Sequence, residues 1–261
     1  TRFRMLVLLS CAKTMSAVSK VKVPLTTSPR FQKEAAEIAL QMSQFSVDEL
    51  ERLLRVNAKI AVENYKRYQA FHAEATPELP ALLAYTGIVF KRLNPKDFSA
   101  EDFGYAQEHL RLTSFCYGLL RPLDVIRAYR LEGDVVLPEL GNQTLFSYWR
   151  SRLTDTFIED IRSAGGILCN LASDEMKSLF DWKRVESEVR VVTPEFHVWK
   201  NGKLATIVVY TKMSRGEMTR FILKNKIGNP EELKGFSWEG FEFDESLSDE
   251  RKLVFINGMG E

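Results

Sequence analysis

The sequence predicts a mixed α/β fold, a central mixed sheet flanked by helices, and three observations predict it. Two apolar runs of strand length, 5–9 and 167–169, each end in small polar residues. Segments of helical period are opened by capping residues at Ser28, Ser46, Ser99 and Thr144. Asn201-Gly202 sits between apolar stretches and signals an antiparallel hairpin.

At 261 residues the chain fits one large domain or two small ones. With 45% hydrophobic and 27% charged residues the composition is that of an ordinary globular protein. The formal net charge is +1, so any affinity for nucleic acid has to come from segregated charge. Cys11, Cys116 and Cys169, with three scattered histidines, give no metal-ligand spacing, and reduced thiols of a cytoplasmic protein are the simplest account. Residues 5–9 are too short for a signal core or a membrane span. Residues 1–4 read as an upstream extension, with Met5 the natural start.

The first strand, 5–9, runs into Ser10-Cys11-Ala12-Lys13-Thr14. The Lys-Thr pair is like a phosphate loop without its glycines, which leaves either an anion or substrate cluster or an ordinary loop. Ser28-Pro29 opens a helix to about Met42. Ser46 and Glu49 form a capping box, and the apolar positions 50, 53, 54 and then 60, 61, 65 describe two helices joined by a tight turn at 55–59. The spacing Arg55-Val56-Asn57-x-x-x-Ala61 matches the Gly-hydrophobe-Gly-x-x-x-Ala core of a helix-hairpin-helix over about 46–71, with both glycines replaced. Asn57 can take the left-handed conformation, whereas Arg55 takes it poorly. An ordinary αα-hairpin is the alternative.

Further on, 77–84 reads as a short helix, 86–90 as a strand, and 99–112 as a helix. After the break at 117–124, Arg121 with Asp124 and Arg130 with Glu132 form either ligand-binding or structural ion pairs. A helix from Thr144 stops at Gly165-Gly166. If the strand at 167 neighbours the first, Ser10, Lys13, Asn170 and Ser173 gather at one sheet edge. Strands at 189–196 and 197–212 lead into a helix at 213–226, placing Lys212 and Arg215 in its first turn. Cations there are disfavoured unless an anion joins them; a solvated basic face is the alternative. Short strands at 241–243 and 252–256 close the chain.

Together, Leu8-Leu-Ser-Cys-Ala-Lys-Thr14, Tyr117-Gly-Leu-Leu-Arg-Pro-Leu-Asp124, Tyr129-Arg-Leu-Glu132, Asn170-Leu-Ala-Ser-Asp-Glu175 and Arg215-Gly-Glu-Met-Thr-Arg-Phe-Ile222 resemble the peroxide stress protein YaaA family, in order and at fitting spacing. The resemblance implies a cytoplasmic, single-domain protein over about 5–258, with a positively charged cleft. It also implies a helix-hairpin-helix binding duplex and branched DNA, and a role in peroxide survival linked to DNA repair and iron. On the family's motif positions fall Ser10, Lys13, Thr14, Asn170, Ser173, Lys212 and Arg215; Cys11 stands where the family has proline.

Two functions follow as expectations. In the first, the chain binds DNA without reading sequence, through Arg55, Asn57, Lys59, Lys66, Lys212, Arg215, Arg220 and Lys224. In the second, it is an enzyme acting on a nucleotide or nucleobase, with a nucleotide-like small molecule as partner, in a pocket of Ser10, Lys13, Thr14, Arg121, Asn170, Ser173, Lys212 and Arg215. No cofactor, metal site or membrane partner is expected; isolated histidines argue against direct iron binding.

Overall fold

A computed structural model describes residues 4–258. Of the expected extension at 1–4, residues 1–3 lie outside that range. The sheet strands are β1 (Leu6–Leu9), β2 (Leu110–Ser114), β3 (Gly118–Leu120), β4 (Ile167–Asn170), β5 (Arg190–Lys200), β6 (Lys203–Ala205), β7 (Ser237–Trp238), β8 (Phe241–Phe243) and β9 (Lys252–Asn257). The principal helices are α1 (Gln32–Met42), α2 (Val47–Leu54), α3 (Ala58–Ala70), α4 (Ile88–Leu93), α5 (Ala100–His109), α6 (Leu145–Ser163), α7 (Trp182–Glu188) and α8 (Val208–Asn225).

The strand order is β7-β8-β9-β5-β4-β1-β2-β3, with β6 paired to β5. From β9 to β2 the pairing is parallel; Leu8 stands opposite Arg111 on one side and Asn170 on the other. Both ends of the sheet are antiparallel, so it is mixed as expected. All four residues of β1 are buried, as a central parallel strand covered on both faces requires. Arg111 on β2 is almost fully buried as well. Its Nε donates to Asp160 of α6 at 2.7 Å, and Arg30 reaches the same oxygen at 2.7 Å.

Local chemistry sets several boundaries. Ser46 and Ser99 close capping boxes with Glu49 and Asp102, and Thr144 caps α6 by accepting from the Ser147 amide. The turn between α2 and α3 differs from the expectation. Arg55 takes the left-handed conformation (φ 54°), while Asn57 is extended because its Oδ1 accepts the Ile60 amide at 2.9 Å. Asn57 is thus an N-cap, and the left-handed cost, about 1–2 kcal/mol, falls on Arg55. The Val56 N–H donating to Glu51 O partly offsets it.

Other expectations are corrected. Residues 86–90 are not a strand: Gly87 (φ 105°) turns the chain and α4 follows, a short apolar run having no period that separates the two. The helix from Ser99 ends at His109, and residues 110–114 are the interior strand β2. The Ser28 helix begins only at Gln32, and of 77–84 only Ala81–Ala84 is helical. The hairpin at Asn201-Gly202 forms, yet its second strand stops at Ala205. α8 starts at Val208 although Ile207, Val208 and Val209 favour a strand, so tertiary packing overrides propensity. That packing depends on Gly216: a Cβ there would lie 2.3 Å from Val89 O in α4.

Candidate functional site

From β1 the chain moves to one side to form β2, and later returns on the other side as β4. This reversal opens a crevice at the carboxyl end of β1, where open α/β sheets hold their ligands. The loops after β1 and β4, the start of α4, Phe115 and the middle of α8 enclose a cavity of about 450 Å³ there. A larger hollow of about 740 Å³ beside Tyr105 and Glu108 lies away from these strand ends.

The two strand-end loops are clasped by hydroxyls. Ser10 Oγ donates to Ser173 Oγ at 3.3 Å and accepts the Ser173 amide at 2.8 Å. Thr14 Oγ1 accepts from Thr86 at 2.8 Å. Lys13 reaches Glu132 at 2.8 Å; the lysine is exposed and the carboxylate almost fully buried. Lys212 and Arg215 also line the cavity, but from the second and third turns of α8, not the first. The dipole of the helix end therefore does not bear on them, and the expectation of a first-turn anion site is corrected. What they share is the cavity.

Arg130, read from sequence as a partner for Glu132, lines the cavity without it, because Lys13 takes that carboxylate. Its Nε is sealed from solvent with no acceptor. Among the described residues, no carboxylate lies within ion-pair distance of Arg130, Lys212 or Arg215. Burial pulls the Arg215 guanidinium below its ordinary pKa, with Asp174 offsetting this only in part. Glu175 is the lining carboxylate, held above the usual carboxylate range by burial and then by the charge of Glu132. Leu9, Ile88, Phe90, Phe115 and Leu131 supply an apolar wall.

Two expected pocket residues are elsewhere. Arg121 donates from its amide and Nε to Asp124 and from Nη2 to Ser28 O, holding the 121–124 turn. Asn170 is buried, and its Oδ1 accepts the Ala172 amide at 3.1 Å. Neither lines the cavity. Cys11 does, but burial pushes its thiol up to about 12, which denies it thiolate character near neutrality.

The cations expected to meet DNA divide into two groups. Arg220 donates to Asp97 at 2.9 Å and to the carbonyls of Leu93 and Asn94, and Lys224 pairs with Asp102 at 3.0 Å. Both are engaged in holding α8 to the segment 93–102. On the hairpin, Lys59 and Lys66 are exposed, with no ion-pair partner among the described residues. Arg55 pairs with Asp134 at 3.0 Å, and both side chains are more than half exposed. Arg55 feels Glu132 and Glu175 too, and Glu175 feels Arg55 and Lys13, so the hairpin turn and the cavity charges share one neighbourhood.

Fold and cavity define a mixed α/β protein with its candidate ligand site at the switch point of a largely parallel sheet. The family profile described as "Peroxide stress protein YaaA" matches residues 5–247, and the chain belongs to that family. It is similar to a UPF0246 protein of Bacteroides thetaiotaomicron, 99% identical over 257 residues, covering 98% of this chain and 100% of that one. The UPF0246 protein BF3795 of Bacteroides fragilis is 78% identical over 257 residues, with the same coverage. A UPF0246 protein of Crocosphaera subtropica is 38% identical over 253 residues, covering 97% of this chain and 100% of that one. Among the described residues, no helix is long and apolar enough to cross a membrane.

Proposed function

We propose that this peroxide stress protein is a cytoplasmic DNA-binding protein that grips the phosphate backbone without reading sequence, in a response linked to repair and to iron-dependent damage. The observation that supports this reading is the shared neighbourhood of the α2–α3 turn and the cavity mouth: Arg55 pairs with Asp134, two residues along the chain from the Glu132 that holds Lys13. Among the described residues, Lys59 and Lys66 on the hairpin and Lys212 and Arg215 at the cavity have no ion-pair partner. The exposed Arg55–Asp134 pair is worth little because both charges are solvent-screened, so a phosphate can replace Asp134 at small cost. The first amides of α3, beyond the Asn57 cap, add donors of the kind that hold phosphate. In this reading Asn57 acts through the turn it fixes.

The test is fluorescence anisotropy with two duplexes of unrelated sequence and one branched junction. Both duplexes bind with equal affinity, and Lys59→Ala/Lys66→Ala weakens all three substrates alike. A strong preference between the duplexes, or full affinity in the double variant, refutes backbone recognition by the hairpin.

A second reading is favoured by one observation, the cavity that gathers the hydroxyls of Ser10, Thr14 and Ser173 with cations that have no ion-pair partner among the described residues. In it the chain is an enzyme acting on a nucleotide or nucleobase. Loss of peroxide protection in Lys212→Ala with DNA affinity intact supports this reading; parallel loss of both removes its support.

A further inference from the structure

We infer that the cavity is a receptor for a nucleoside phosphate monoester, either a free nucleotide or the phosphorylated end of a DNA strand, held by Arg130 and Arg215. The inference deepens the DNA reading and rests on it for the nucleoside half of the ligand. The phosphate half rests on the cavity alone.

Four observations lead to it. The first is the state of the two guanidiniums. Arg130 keeps an Nε–H away from water with no acceptor, and Arg215 is desolvated with no ion-pair partner among the described residues. Buried donors are ordinarily paired, so the sealed Arg130 Nε–H, with the part-buried Arg215 beside the same cavity, marks a place where a ligand's oxygens belong. Arginine also presents a planar fork that matches phosphate oxygens in pairs.

The second is charge. Four cations and one carboxylate line the cavity, and Lys13 is already held by Glu132. Arg130, Lys212 and Arg215 remain to face a guest, against Glu175. A backbone diester brings a single negative charge, whereas a phosphate monoester brings roughly 1.5 to 2 near neutrality and is the closer match.

The third is shape. About 450 Å³ lies within the range of small-molecule sites, roughly 300–1,000 Å³. A cleft of that size matches a single nucleotide or a strand terminus better than the continuous backbone of a duplex. The fourth is composition: the lining combines apolar Ile88, Phe90 and Leu131, suited to a base, with the hydroxyls of Ser10, Thr14 and Ser173.

The test is calorimetric titration of the full chain with adenosine 5′-monophosphate, adenosine and inorganic phosphate. It is paired with anisotropy on duplexes that differ only in carrying a 5′-phosphate or a 5′-hydroxyl. Adenosine 5′-monophosphate binds one to one, and adenosine binds at least about tenfold more weakly. Arg130→Gln and Arg215→Gln each weaken the nucleotide about 10- to 100-fold, as expected when one charge-assisted hydrogen bond is removed. Where Arg130→Gln does not fold, Arg215→Gln and the exposed Lys212→Ala carry the same test. Equal affinity for nucleotide and nucleoside, or nucleotide affinity untouched by Arg215→Gln, overturns the inference. Duplexes bound without preference for a 5′-phosphate, together with no nucleotide binding, overturn it and leave the DNA reading standing. Nucleotide binding with no duplex binding supports it and removes the DNA reading.

Discussion

Replacing Gly216 by alanine separates two effects that a helical glycine usually confounds. Alanine in a helix interior is favoured over glycine by about 0.8–1.0 kcal/mol, and Gly104 in α5, where an added Cβ would meet nothing within 4 Å, obtains that gain in full. At Gly216 the same Cβ would lie 2.3 Å from Val89 O and 2.8 Å from Arg92 Cβ. The nearer atom is backbone, so α4 or α8 has to move. Overpacking of this kind costs about 1–3 kcal/mol, which outweighs or cancels the helical gain. Equilibrium urea unfolding of Gly104→Ala and Gly216→Ala therefore differs by about 1–3 kcal/mol, with Gly104→Ala the more stable. Because α8 carries Lys212 and Arg215 and α4 forms the facing wall, Gly216→Ala also weakens DNA binding. If Gly216→Ala is as stabilising as Gly104→Ala, the close approach of the two helices is wrong, and with it the geometry of the cavity.

Asp160→Asn strands the nearly buried Arg111 beside Arg30 and costs about 3–5 kcal/mol by urea unfolding; a loss under about 1 kcal/mol contradicts the geometry. Burial alone would raise the Asp160 pKa, but Arg30 and Arg111 together outweigh it and hold the carboxyl below its ordinary value. Its contribution is present above the unfolded pKa of about 3.9 and disappears as pH falls through the folded value, so the variant shows a shallower acid limb. Cys11 and Cys169, pushed up to about 12, are thiolate in about one part in 10⁴ at pH 8. The fully buried Cys169 therefore reacts with a thiol reagent only as fast as the protein opens, and rapid labelling of Cys169 refutes its burial; Cys11, partly exposed at the cavity, is slowed only by its raised pKa. Arg55→Gly relieves the left-handed backbone by about 1–2 kcal/mol against the loss of one solvent-screened surface pair, so stability holds or rises while DNA affinity falls. A large loss of stability in the same unfolding assay contradicts this.

The parts of the fold legible in the sequence are those fixed by local chemistry. Ser46, Ser99 and Thr144 cap the helices they announce, because each bond closes within three residues. β1 is legible from its apolar run, and Asn201-Gly202 from its turn. β2 is not, because Leu110 and Leu112 continue the apolar pattern of α5 and only pairing with β1 makes them a strand. The start of α8 fails for the opposite reason: β-branched residues point to a strand, and packing against α4 overrules them. Within the site, Ser10, Lys13 and Ser173 are legible once β1 and β4 are taken as neighbours. The freedom of Arg130 is not, since it follows from a distant choice, the pairing of Lys13 with Glu132. Arg220 and Lys224 have the right charge for phosphate, and only the fold shows Asp97 and Asp102 beside them.

The most direct measurement is the salt dependence of duplex affinity, wild type against Lys59→Ala/Lys66→Ala. Each phosphate left without its cation takes about 0.9 from the slope of log affinity on log salt, so the double variant's slope is shallower by about 1.8. Identical slopes, at whatever affinity, contradict a hairpin that holds DNA by its backbone charge.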